Sequence, residues 1–375
     1  MNLAPAAQPG DPVAAIDTPA LVVDLDAMER NLARMADWAR QQGVRLRPHA
    51  KMHKCAEIAR RQIAAGAVGV CVQKLDEAQA LADAGIGDLY ISNEVIAPAK
   101  LARLATLAQR VRLAVAVDSL EGVQGLASAL RGRSVTVEVF VEVDVGGGRC
   151  GVPPEDAAWL ARMVHQHHDD GLRLAGLQAY HGRAQHLRSV AERQAAARQT
   201  VARAAQARDA LRDAGLPCPL VTGGGTGSFE IESTSGVYGE IQPGSYLFMD
   251  RDYADNDPAP GRPAFEAALF VKARVISRRP GQAVIDAGHK SHALDSGPPR
   301  VWGQPLDYVN GGDEHGILRS SDDEVLPALG DVVWLQPGHC DPTVNLHDQL
   351  IVVRGGLAHG SVEAVWPVTA RGALR

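Results

Sequence analysis

Short runs rich in valine, isoleucine and leucine alternate with longer, alanine-rich runs through the first two thirds of the chain. The runs at 44–47, 69–72, 89–92, 113–117, 135–143, 174–179, 220–222 and 239–242 have the length and apolar continuity of buried strands. Between them, 75–84, 98–109, 154–165 and 191–214 read as amphipathic helices. Eight strands with helices between most of them predict parallel pairing and a closed (β/α)8 barrel. A doubly wound open sheet competes, but it wants a phosphate loop directly after its first strand, and the glycine-rich segment here comes much later. Upstream, 21–23 reads as a strand, followed by a helix capped by Asp26, carrying Met28, Leu32 and Met35 at helical spacing and ended by Gly43.

From about Phe265 the pattern changes. Runs at 267–276, 282–286, 331–336 and 349–353 are separated by Gly, Pro and Asp, with few helical segments. This predicts a mostly β domain over 264–375, which the strand near 20–24 could join, after a barrel over 18–255; the Pro/Asp/Gly-rich stretch 255–263 reads as the linker. The Ala/Pro/Gly-rich start, 1–17, reads as a flexible tail.

Composition narrows the function classes. With 375 residues and a net charge of −6, the chain holds a substantial core, and no basic cluster is dense enough to track a phosphate backbone, so nucleic acid is not an expected partner. No apolar stretch approaches the length of a membrane span, and the start lacks the features of a signal peptide. Cys55, Cys71, Cys150, Cys218 and Cys340 are odd in number, widely spaced and free of any CxxC pair, which points to a reduced, cytoplasmic protein.

Arginine carries nearly all the positive charge, which makes a placed lysine informative. Lys51 falls just past the first barrel strand, where barrels keep their catalytic groups. Desolvated beside other cations, a lysine loses its proton more easily and forms a Schiff base with an aldehyde such as pyridoxal phosphate; the same segment also reads as a basic loop with Arg47 and Lys54. The glycine run 223–227 follows the seventh strand, and Gln242-Pro243-Gly244-Ser245-Tyr246 the eighth, the places where barrels commonly hold a phosphate through backbone N–H groups. Arg149 follows the fifth strand, Tyr180 and His181 the sixth, and His186 lies just beyond. In the run Pro337-Gly338-His339-Cys340-Asp341, an extended backbone would point His339 and Asp341 the same way and Cys340 the other. One imidazole and one carboxylate suit manganese, magnesium or zinc, although as a free-standing motif such a pair more often marks a turn than a metal site.

Arg47-Pro48-His49-Ala50-Lys51, Ile91-Ser92-Asn93-Glu94, the segments 144–151 and 179–182, the triple glycine 223–225, Asp313-Glu314-His315-Gly316 and the segment 338–342 together resemble the D-threonine aldolase and D-serine dehydratase family. The resemblance runs from about Thr18 to the C-terminus. That family is the fold-type III branch of pyridoxal phosphate enzymes, with an alanine racemase-like TIM barrel and a β domain. The resemblance implies that Lys51 carries the cofactor, that Arg149 contacts it, that Tyr180 lies near its ring, and that Gly224, Gly225, Thr226, Gly244 and Ser245 hold its phosphate. It also implies a divalent metal, manganese first, on His339 and Asp341; His186 as base on the substrate hydroxyl; Asn93 and Asp313 in the substrate pocket; and a homodimer.

Within the family, dehydratases resemble a His-x-Cys pair and aldolases a His-x-Asp pair, so His339-x-Asp341 favours cleavage of a D-3-hydroxy amino acid, of D-threonine or 3-hydroxy-D-aspartate type, to glycine and an aldehyde. Dehydration to ammonia and a 2-oxo acid is the alternative. Racemisation would need an acid or base on each face, and a non-catalytic carrier of the cofactor would lack the β domain. A 3-hydroxyaspartate substrate needs a cation for its distal carboxylate, for which His49, His53, Arg183, His289, Lys290 and His292 are candidates.

Overall fold

A computed structural model describes residues 6–322 and 325–375. After β1 (Ala20–Asp24), helix α1 (Leu25–Gln42) begins where the Asp24 carboxylate accepts the Ala27 amide, and it ends at Gly43 in the left-handed region. The cap is therefore Asp24, not the expected Asp26, which instead receives Arg354 at 2.8 Å. Eight parallel strands follow, β2 (Arg45–Leu46), β3 (Val70–Val72), β4 (Asp88–Glu94), β5 (Arg112–Val117), β6 (Val137–Glu142), β7 (Leu172–Ala179), β8 (Val221–Gly223) and β9 (Glu240–Ile241). Their order runs β2-β9-β8-β7-β6-β5-β4-β3, and backbone bonds from Val68 to Leu46 and from Cys71 to Pro48 join the two ends and close the barrel.

Helices α2 (Ala56–Ala64), α3 (Leu75–Asp83), α4 (Pro98–Leu107), α5 (Leu120–Leu130), α6 (Ala157–Gln166), α7 (Val190–Asp213) and α8 (Phe229–Ser233) surround it. Their apolar stripes, such as Leu101, Leu104 and Ala105 of α4, bury against outward strand residues such as Leu89, Val115 and Val139. Inside the barrel, Cys71, Tyr90, Ala114, Phe140 and Ala175 form a small apolar plug. Beside it runs a polar chain in which Tyr90 donates to Gln178, Gln242 to Thr222, and Thr222 to Glu240.

A four-residue helix, α9 (Arg251–Ala254), leads out of the barrel to β10 (Leu269–Arg279), β11 (Gln282–Ile285), β12 (Arg300–Val301), β13 (Asp307–Asn310), β14 (Gly316–Arg319), β15 (Val332–Gln336), the short helix α10 (Cys340–Asn345), β16 (Gln349–Arg354) and β17 (Ser361–Pro367). β1 sits in this second sheet, antiparallel to β10 and parallel to β16. A single apolar cluster joins α1 and the barrel residues Phe229, Tyr246 and Phe248 to β10, β15 and β16, so barrel and sheet share a core.

The N-terminal stretch departs from the expected flexible tail. Residues 1–5 lie outside the described residues, but 6–17 are fastened to the second sheet: Gly10 N–H donates to Val362, and the buried Lys272 donates to the carbonyls of Val13 at 2.8 Å and Ile16 at 2.6 Å. Ile16 is fully buried. Ala7, Val13 and Ile16 pack there, which composition alone does not reveal.

Candidate active site

Beyond β2 the chain turns over the barrel rim, held by Ala50 N–H donating to the Cys71 carbonyl at 2.7 Å. The turn delivers Lys51 Nζ to within 2.6 Å of Asp341 Oδ1. Burial favours loss of the lysine's proton, as the sequence suggested, but the adjacent carboxylate outweighs it and holds the amine above the ordinary lysine range. The same pairing, with His339, holds Asp341 far below the usual carboxylate range against the pull of burial. His49, between Lys51 and the side chains of Ser92 (3.2 Å) and Gln73 (3.3 Å), is pushed well down by burial and by the Lys51 charge, and so is neutral.

Lys51 opens into a cavity of about 580 Å³ at the C-terminal ends of the barrel strands, lined also by Arg149, Tyr180, His186, Thr226, His339 and Asp341. Gly225, Gly244 and Ser245 complete one side. At Gly225 a Cβ would lie 2.4 Å from the buried Gln185 Oε1, so only glycine fits there; at Gly244 a Cβ would lie 3.3 Å from the His49 carbonyl, a tight approach of the two backbones. The amides of Gly225, Thr226 and Gly244 donate to no protein group among the described residues. Such a ring of free backbone donors fits a phosphate, and with an amine across the cavity the donor set fits pyridoxal phosphate. Gly224 differs: its positive φ turns the loop, and a Cβ there would meet Glu232, not the cavity.

The Arg149 guanidinium stands 5.8 Å from the centre of the Tyr180 ring and 3.8 Å from Glu142. Burial, with Glu94 beside it, pushes the Glu142 carboxyl up to about 9. His186, at the end of a single turn after β7, puts Nδ1 2.5 Å from Asp252 Oδ2. On the facing wall, His339 Nε2 lies 3.5 Å from Asp341 Oδ2, while its Nδ1 pairs with Asp295 at 2.6 Å. Burial opposes the His339 charge, yet the two carboxylates raise it to about 9. The backbone here is not extended as expected: His339 caps α10 and Asp341 occupies its first turn. Asp341 nonetheless faces His339, and Cys340 is buried away from the cavity, its N–H donated to Asp250 at 2.9 Å. An imidazole with its outer nitrogen fixed by a carboxylate, beside a second carboxylate, is a donor set that fits a divalent ion.

A model for the N-terminal domain of alanine racemase matches residues 23–252, and one described as a putative serine dehydratase domain matches 268–353. A D-threonine aldolase from Arthrobacter sp. is 48% identical over the whole of this chain and 97% of its own. This chain belongs to the D-threonine aldolase and D-serine dehydratase family. A second family member, a 3-hydroxy-D-aspartate aldolase from Paracoccus denitrificans (strain Pd 1222), is 42% identical over 98% of this chain and 95% of its own. A D-threo-3-hydroxyaspartate dehydratase from Delftia sp. (strain HT23) is 36% identical over 83% and 86%. The crystal structure of D-threonine aldolase from Filomicrobium marinum superposes with a TM-score of 0.96 at 52% identity, over 99% of this chain and 100% of that one.

Several family-matched positions do not reach the cavity. Asn93 turns away to donate to the Gln73 carbonyl at 3.1 Å. Asp313, in the turn between β13 and β14, pairs with His289 at 2.8 Å and Lys290 at 3.3 Å. Of the six cations considered for a distal carboxylate, His49 and Arg183 line the cavity. His53 is buried against Gln62, and His292 against the Tyr308 hydroxyl. Asp252 and Asp295, which orient the two histidines, carried no signal in the sequence because their partners are 66 and 44 positions away.

Proposed function

We propose that this chain is a pyridoxal phosphate- and divalent metal-dependent aldolase that cleaves D-3-hydroxy amino acids to glycine and an aldehyde. The observation that carries the reading is the His339–Asp341 pair facing Lys51, with Cys340 buried behind it. Lys51 Nζ would hold the cofactor, the amides of Gly225, Thr226, Gly244 and Ser245 its phosphate, Arg149 and Tyr180 its ring, and His339 Nε2 with Asp341 the metal. When bound, the cofactor supplies an electron sink for the Cα–Cβ bond electrons and the metal polarises the substrate hydroxyl.

The chain's own groups supply the rest. His186 Nε2 takes the proton of the 3-hydroxyl, since Nδ1 is given to Asp252. Asp295 keeps the His339 ring turned so that Nε2 faces the cavity. The glycine loops, the Tyr180 ring and Met52 line the cavity's buried part, and the exposed Arg183 and His186 stand at its mouth. Arg183 makes no ion pair among the described residues, which supports a substrate of the 3-hydroxyaspartate type alongside D-threonine.

The same proposal includes manganese as the metal, on the mixed nitrogen and oxygen donors; a reduced, cytoplasmic setting, on five free cysteines; and a homodimer, as the family resemblance implies. No described helix is long and apolar enough to cross a membrane.

The test is product analysis on purified enzyme with D-threonine, pyridoxal phosphate and manganese. Glycine and acetaldehyde are expected. Ammonia and a 2-oxo acid would move the chain to dehydration and overturn the reading of Asp341.

A further inference from the structure

His186 projects from a single turn at the cavity mouth, with its side chain 45% exposed. An imidazole so placed has two tautomers and rotational freedom, and neither suits a base that must present a lone pair to one substrate hydroxyl. We infer that Asp252 is the positioning residue that turns His186 into that base, an inference that rests on the aldolase reading above. Asp252 is buried, and a carboxylate only accepts, so its contact at 2.5 Å places the ring proton on Nδ1 and leaves the Nε2 lone pair free. The other Asp252 oxygen is held by Arg188, so the carboxylate cannot rotate away. The Tyr253 ring, 5.3 Å from the imidazole centre to centre, packs against it.

The helix that carries Asp252 also backs the proposed metal pair. Asp250 caps α9 through Tyr253 N–H at 3.1 Å and accepts the Cys340 amide at 2.9 Å; Arg251 and Asp252 N–H groups donate to Pro337 at 2.9 Å and Gly338 at 3.2 Å. Four residues thus fix His186 on the barrel relative to His339 and Asp341 on the second sheet. From the barrel side, the buried Arg193 ties down the chain after His186 by donating to the carbonyls of Leu187 at 2.7 Å and Arg188 at 2.5 Å.

The arrangement makes Asp252→Asn informative. Arg188 would claim the single amide oxygen, leaving the NH2 group facing Nδ1, which must then accept; the ring proton moves to Nε2 and the base is lost. In the holoenzyme, kcat should fall by about 10²- to 10⁴-fold, with KM and the cofactor absorption spectrum nearly unchanged. A second readout needs neither turnover nor a folded Asp252→Asn: the ¹⁵N spectrum of histidine-labelled wild-type enzyme holding the cofactor and diamagnetic magnesium, with the His186 signals assigned by their loss in His186→Gln, should show the Nδ1–H tautomer. An Nε2–H tautomer in the wild type, or a wild-type kcat in Asp252→Asn, would overturn the assignment. A wild-type enzyme without aldolase activity would overturn the proposed reaction instead, and the ring spectrum would still decide the positioning claim.

Discussion

On the barrel side of the cavity, Lys51 and the two glycine loops each follow a strand directly, and main-chain amides supply most of the donors. Around the substrate hydroxyl, His186 from the barrel mouth and His339 and Asp341 from the second sheet are side chains, the two histidines held by Asp252 and Asp295 from distant parts of the chain. The first side is made locally and of backbone; the second is made of tertiary contacts and charge. The two meet at one ion pair, Lys51 with Asp341, across 290 positions. Holding the cofactor and handling the substrate hydroxyl are therefore separable tasks, and substitutions should divide accordingly.

The largest effect is expected where both sides fail together. Lys51→Ala should abolish the cofactor's protein-bound absorption and turnover, read by absorbance and product assay; retained turnover would contradict the role given to Lys51. Asp341→Asn should break one side alone, weakening metal affinity by at least about 100-fold, measured by metal titration, while cofactor absorption persists. Loss of the cofactor in that variant would show that the two sides are not separable. Gly225→Ala should break the other side: its Cβ would press on the buried Gln185, and an overpacking cost of about 1–3 kcal/mol translates into roughly five- to 150-fold weaker cofactor binding, with metal titration unchanged. The smallest effect is at the mouth. Arg183→Gln should lower kcat/KM for 3-hydroxy-D-aspartate by about fivefold, the value of an exposed ion pair near 1 kcal/mol, and leave D-threonine unaffected. Equal effects on both substrates would remove Arg183 from substrate choice.

The same division decides how much the sequence revealed. All eight barrel strands were legible because parallel strands buried on both faces read as continuous apolar runs, and the glycine loops were legible because they sit next to strands seven and eight. That β1 could join the β domain was legible from the change of pattern, but its particular pairing with β10 and β16 is a long-range choice that its own five residues only partly encode. The 6–17 segment was misread for the same reason, since its anchor, Lys272, lies in another strand. His339 and Asp341 were found from their spacing, but through an extended backbone where the chain begins a helix; Cα positions two apart diverge on a long helix, and only the cap position of His339 keeps the pair together. Asp252 and Asp295 are ordinary acidic residues until the fold sets them against histidines.

The most direct test of separability is to strip the metal from the holoenzyme with a chelator and follow cofactor absorption and D-threonine cleavage in the same sample. Unchanged absorption, lost cleavage, and recovery of cleavage on adding manganese are expected. Cleavage that survives full metal removal, or cofactor that leaves with the metal, would contradict that division of tasks.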